Sequence, residues 1–257
     1  MLSLPDCKMT FVCGPVASGK THLLKRWVDT DNRHVIFDST GEYMDDGKHE
    51  EIWASPRRLA LRVKENPYYF RIVYVPGRNR QDDFSHVLNA LWWRDTPKLL
   101  VCDEVADICP VDSLDEDIER LLRFARKDKM GFLTASQRIA DVHKLFTGGC
   151  RMVVLFQTHE ARDLMAIDDR WKCADLVEGL RPLLYDDIKQ ETLQVPQCVV
   201  CEKGKRPYVY DFATDAEAGT VADPESADQR DASADEHADE TGEQDPVSTG
   251  NTEEGDL

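Results

Sequence analysis

Gly14-Pro15-Val16-Ala17-Ser18-Gly19-Lys20-Thr21 has the spacing G-x-x-x-x-G-K-T, and its flanks restrict the fold severely. The apolar run Met9-Thr10-Phe11-Val12-Cys13 precedes it. Leu23, Leu24, Trp27 and Val28 follow at the spacing of one helix face. A strand, a glycine-rich turn and a helix in that order form a phosphate cradle. Glycines let main-chain N–H groups turn toward phosphate oxygens, and the helix presents its positive end to the same anion. In such a loop Lys20 bridges the β- and γ-phosphates and Thr21 holds Mg²⁺ through its hydroxyl. ATP and Mg²⁺ are therefore the expected ligands.

A second segment supplies the acidic half of such a site. Leu99-Leu100-Val101-Cys102 reads as a buried strand ending at Asp103-Glu104. Asp103 is placed to hold Mg²⁺, directly or through water, and Glu104 to orient or deprotonate the attacking water. The competing reading is that the two carboxylates only cap the following helix. Gln137, just after the strand Phe132–Ala135, is a candidate γ-phosphate sensor. Arg123 and Arg126 are candidate fingers for a neighbouring subunit's ATP, with an ordinary solvated helix face as the alternative for each.

Further strands are expected at His34–Phe37, Phe70–Val75 and Met152–Phe156, and helices near 83–93, 114–127, 139–146, 159–167 and 172–180. A hairpin is expected over Gln197–Phe212, turning at Lys203-Gly204-Lys205. Alternating strands and helices imply an α/β fold with a mainly parallel sheet flanked by helices. The strands lack strict polar alternation, as strands covered on both faces do.

Charge divides the chain. Residues 213–257 hold 15 Asp or Glu against one basic residue, Arg230. That segment's −14, out of −17 for the chain, leaves only −3 on residues 1–212. We expect an ATPase domain over 1–212 and a disordered acidic tail over 213–257, since the tail has almost no large apolar residue to offset its ordering entropy. The tail reads either as a solubility segment or as an arm for a basic partner. Eight scattered cysteines, no leader-like opening and no membrane-length apolar run suggest a reduced, cytoplasmic setting. Cys198-Val199-Val200-Cys201 has the spacing of half a zinc site, but in a strand the two thiols point to opposite faces. Arg78, Arg80, Lys127, Lys129 and Lys144 are candidate DNA contacts, with ordinary solvated charges as the alternative.

Four segments together resemble the FtsK/HerA superfamily of P-loop ATPases. They are Gly14–Thr21, Val35–Tyr43 with its Asp38-x-x-Gly41-Glu42-Tyr43, Leu99–Glu104, and Gly131–Arg138 with Asp141-Val142. The second and fourth are similar to the HerA-like branch. The resemblance implies a RecA-like core, a homo-oligomeric ring of six subunits, and translocation on DNA. It implies Arg126 as the finger acting in trans, Gln137 as the sensor, and an acidic role for Asp38. In size the chain is similar to genome-packaging ATPases of tailless, membrane-containing viruses, for which a capsid or portal-vertex partner and a host-cytoplasm or virion location are expected. Alternatives are a zonula-occludens-toxin-like phage assembly ATPase, a HerA-like helicase, and a small-acceptor P-loop kinase.

Overall fold

β1 (Met9–Cys13) is buried along its whole length, and its side chains divide between two cores. Phe11 and Cys13 face one, Val12 the other. A strand with that environment must lie inside a sheet covered on both sides. The computed structural model describes residues 2, 9–44, 47–92, 98–125, 127, 129–181, 185–186, 191–192, 196–214 and 216–220.

From β1 the chain enters α1 (Lys20–Val28), then β2 (Arg33–Phe37), β3 (Glu50–Trp53), α2 (Pro56–Glu65) and β4 (Phe70–Val75). It continues through α3 (Arg80–Trp92), β5 (Lys98–Cys102), α4 (Glu116–Phe124), β6 (Met130–Ser136), α5 (Lys144–Gly149) and β7 (Met152–Phe156). Next come α6 (Ala161–Trp171), α7 (Ala174–Glu178) and the two-residue pair β8 (Tyr185–Asp186) and β9 (Glu191–Thr192). β10 (Gln197–Glu202), β11 (Tyr208–Asp211) and β12 (Ala216–Thr220) complete the described elements.

Among the described residues ten strands form one sheet in the order β12-β11-β10-β7-β1-β6-β5-β2-β4-β3. The seven from β7 to β3 are parallel, and β10, β11 and β12 add antiparallel to the β7 edge. Parallel neighbours require crossovers, and the helices that make them cover the sheet. α1 packs Leu23, Leu24 and Trp27 on one face, with Tyr208 and Tyr210 of β11. α2 through α7 pack Leu59, Phe84, Ile118, Phe146, Ile167 and Val177 on the other. Beneath that face Phe37, Phe84, Phe132, Phe146 and Phe11 form a chain of aromatic contacts with centroids 5.4–6.1 Å apart. Each such pair adds about 0.5–1.5 kcal/mol beyond simple burial.

The strand expectations hold, and the hairpin turns at Gly204, whose φ of +87° favours glycine. β3, α2, the short pair β8 and β9, and β12 were not foreseen. β3 is an edge strand with only Ile52 buried, and α2 buries only Leu59 and Val63. The helix expected near 139–146 is a short 3₁₀ turn at Ile139–Asp141 followed by α5. Past the expected domain boundary at residue 212, β12 pairs with β11 as far as Thr220. Ala216-Glu217-Ala218-Gly219-Thr220 lacks the large apolar residues that composition reads, and an edge strand is held by main-chain bonds instead. Val221 onward, including the rest of the expected tail, lies outside the described residues.

Candidate nucleotide site

The cradle follows from β1's position in the middle of the sheet. Its last residue, Cys13, gives way to a turn whose first amide, Gly14 N, donates to Ser136 O of β6 at 3.3 Å. A Cβ at Gly14 would lie 2.6 Å from Phe156 Cβ and 2.9 Å from Ser18 Oγ, so only glycine fits between β1 and β7. Ala17 and Gly19 have φ of +62° and +98°, which curls the loop before α1 begins. Leu23 N donates to Gly19 O at 2.9 Å, starting the helix directly behind the loop. The N-terminal amides of α1 and its dipole therefore face the same cavity.

That cavity has a volume of about 510 Å³. Val16, Ala17, Ser18, Gly19, Lys20 and Thr21 form one wall, and Asp103, Glu104 and Gln137 face it. Lys20 is buried and donates from Nζ to Pro15 O at 2.9 Å, folding its ammonium back over the loop. Burial lowers its pKa, with nearby Asp103 and Glu104 acting in the opposite direction. The Ser18 hydroxyl is buried without a hydrogen-bond partner beneath the cradle.

Sheet order delivers the acidic wall. β6 lies between β1 and β5, so the ends of β1, β6 and β5 stand side by side. Thr21 Oγ1 donates to Asp103 Oδ2 at 3.0 Å, across a sequence separation of 82 residues. Asp103 is buried, and desolvation pushes its pKa up to about 6, against the lowering effect of Thr21. Glu104 Oε1 accepts from Ser136 Oγ at 2.6 Å, and its Oε2 accepts from Gln137 N at 3.4 Å. Burial raises its pKa too, and the Ser136 bond lowers it. The helix-cap reading for this pair is not what the structure has: the turn after Glu104 has no side-chain cap, and both carboxylates face the loop.

A buried carboxylate next to a hydroxyl on the first turn of α1 is a pair of hard oxygen donors. It fits Mg²⁺. Among the described residues no group of three or more His, Cys, Asp or Glu could hold a metal ion. Cys198 and Cys201 belong to opposite cores, as their strand spacing requires, and Cys201 Sγ lies 3.6 Å from Cys173 Sγ.

Asp38, just past the end of β2, is a loop organiser. It is buried, and Oδ1 accepts from Thr40 N, Thr40 Oγ1, Gly41 N and Glu42 N at 2.8–3.2 Å, while Oδ2 accepts from Tyr43 N at 3.0 Å. The carboxylate organises the loop after β2 and so sets Thr40 and Glu42 on the cavity wall. Lys25 Nζ ties the loop to α1 through Glu42 O at 2.6 Å. Thr40, Glu42, Lys25 and His22 line the site without having been singled out. The polar run Asp38–Glu42 directly after a buried strand was the available signal. Ser136 was also passed over as the partner of Glu104. Arg126 lies outside the described residues; Arg123, on α4, is exposed and pairs with Glu119.

No protein-family model matches the chain, and no curated protein matches it. Solved structures do. The genome packaging NTPase B204 from Sulfolobus turreted icosahedral virus 2, in complex with ATP-gammaS, aligns with a TM-score of 0.60 at 16% identity. The alignment covers 82% of this chain and 94% of that one. The same protein in complex with sulfate gives 0.61 at 15% identity, covering 83% and 96%. The DNA-packaging ATPase B204 from Sulfolobus turreted icosahedral virus gives 0.55 at 14% identity, covering 83% and 97%. The fold is that of a P-loop ATPase. It is the RecA-like architecture of a mainly parallel sheet flanked by helices, and the alignment spans nearly the full length of these packaging NTPases. Among the described residues no helix is long and apolar enough to cross a membrane.

Proposed function

We propose that the chain is an ATP hydrolase whose turnover drives DNA through a ring of its own copies, in the manner of a genome-packaging motor. The observation that carries the hydrolase half is the convergence at three strand ends. Thr21 and Asp103 lie 3.0 Å apart, and Glu104 is held by Ser136 and Gln137 N over the same cradle. The packaging half is supported by the likeness to B204, a genome packaging NTPase solved with ATP-gammaS, along almost all of its length.

In this reading the loop amides and Lys20 grip the triphosphate of ATP. Lys20 must leave Pro15 O to do so, which a phosphate oxygen replaces with a stronger, charge-assisted acceptor. Thr21 and Asp103 hold Mg²⁺, which when bound supplies positive charge to the phosphoryl oxygens. Glu104, raised by burial, takes the proton of the attacking water, and Ser136 holds its carboxylate in place. Gln137 reads the γ-phosphate from the cavity wall. Arg126 acts as the finger toward a neighbouring subunit. A capsid or portal-vertex protein is the proposed docking partner of the ring.

ATP turnover measured with and without duplex DNA tests this. DNA should stimulate the parent chain. Lys20→Ala should lose nucleotide binding, and Glu104→Gln should keep binding while losing about 10²–10⁴-fold in kcat. Turnover indifferent to DNA but accelerated by a small hydroxyl acceptor would replace the motor with a kinase.

A further inference from the structure

A second cavity, of about 310 Å³, lies at the ends of the strands opposite those that carry the cradle. Arg151, just before β7, donates its amide to Met9 O at the far end of β1 from Gly14, and Lys203 N donates to Arg151 O at 2.9 Å. The β10–β11 turn therefore closes over the strand ends that the nucleotide site does not use. Arg170 at the end of α6 and Lys203 and Lys205 of the turn line this cavity, together with Thr147.

Arg170 is half-buried there. One of its guanidinium nitrogens donates to Thr147 Oγ1 at 2.7 Å, and the group lies 5.9 Å from the centre of the Trp171 ring. No carboxylate forms an ion pair with it among the described residues. Desolvation lowers its pKa, outweighing the neighbouring Asp169 carboxylate, which acts the other way. Lys203 is exposed with no side-chain partner among the described residues, and Arg151 adds a further exposed cation beside it. The lone acidic lining residue, Glu202, is engaged by Lys205 at 2.9 Å and by the Tyr208 hydroxyl at 3.0 Å. The Thr147 hydroxyl is already used, accepting from Arg170 and donating to Lys144 O at 3.1 Å, so the guanidinium fork and the Lys203 ammonium, with Lys205 shared with Glu202, are the donors turned to one centre. A tetrahedral oxyanion uses them better than a planar carboxylate does.

We propose that this cavity is a second anion site, separate from the nucleotide cradle, that binds a phosphate group. Arg170 is the fixed contact, preset by Thr147 and Trp171. Lys203 and Lys205 close from the turn, where Gly204, with open space around it, lets the main chain move. The phosphate can belong to a nucleic-acid backbone or to a small molecule, since either presents the same oxygens.

Calorimetric titration of the full chain with inorganic phosphate tests the proposal. The parent should show two sites. Lys20→Ala should remove one, and Lys203→Glu should weaken the other by tenfold or more while leaving DNA-free ATP turnover unchanged. Arg170→Gln, with its fold checked by circular dichroism, should weaken the same site. A short duplex DNA that displaces phosphate from the Lys203-dependent site identifies a backbone phosphodiester, and Lys203→Glu then lowers the salt slope of DNA affinity by about 1. A duplex without effect on that site identifies a small phosphate ligand; both outcomes uphold the site. Lys203→Glu and Arg170→Gln chains that titrate like the parent overturn it. A parent chain with the Lys203-dependent site but no site sensitive to Lys20→Ala would count against the nucleotide cradle and not against this cavity.

Discussion

Replacing Asp103 by Asn should change how the nucleotide-free protein responds to pH. Burial holds the Asp103 carboxyl at about 6 in the folded chain, against an ordinary value of 3.8. A folded-state pKa raised above the unfolded one means that the native protein binds the proton more tightly. Stability is then lost as pH rises through that window, with the full cost present above about pH 6 and absent below about pH 4. Two units correspond to about 3 kcal/mol, and about half of that is already in force at pH 5. Asn cannot ionise, so the stability difference between Asp103→Asn and the parent should grow by about 1.5 kcal/mol in the variant's favour between pH 5 and pH 8. For a domain of this size that is a relative Tm gain of about 3–6 °C. Any fixed cost of burying the new amide cancels, because it is the same at both pH values. The assay is thermal unfolding followed by circular dichroism in EDTA without nucleotide. A Tm difference that stays constant from pH 5 to pH 8, or shrinks, would show that Asp103 is not a desolvated carboxylate and would remove the physical reason for a cation at this site.

Two further outcomes follow from neighbouring residues. Ser136→Ala removes the hydroxyl that favours ionised Glu104, so the acid limb of the kcat/KM profile for ATP should move to higher pH; an unmoved limb would separate Ser136 from the catalytic carboxylate. Asp38→Ala strips five hydrogen bonds from the loop after β2 and should cost about 3–5 kcal/mol, read as a lowered urea midpoint; a near-neutral result would mean the loop holds itself.

The cradle and its acidic wall were legible because each is a local pattern with a mechanical reason. Gly14, Gly19, Lys20 and Thr21 stand at fixed offsets between a strand and a helix, and four apolar residues deliver Asp103 to a strand end. What the sequence did not show depends on neighbours distant along the chain. Ser136 finds Glu104 only because β6 inserts between β1 and β5, and no spacing encodes that order. Asp38 reads as one more acidic strand end, and only the folded loop reveals five donors around it. β3 and β12 sit at the two edges of the sheet, where main-chain pairing can hold a strand of little apolar content. Glu50-Glu51-Ile52-Trp53 therefore gives no apolar run for periodicity to detect.

The position of β6 also constrains how the proposed motor would move. Its last residue, Ser136, anchors the Gly14 amide of the loop through its carbonyl and tethers Glu104, the proposed water-activating group, through its hydroxyl. With rungs to both flanking strands, it acts as a common chassis, so grip and trigger travel as one body. Any stroke powered at this centre has to be taken up at the rim, by parts that lie beyond the ends of those three strands.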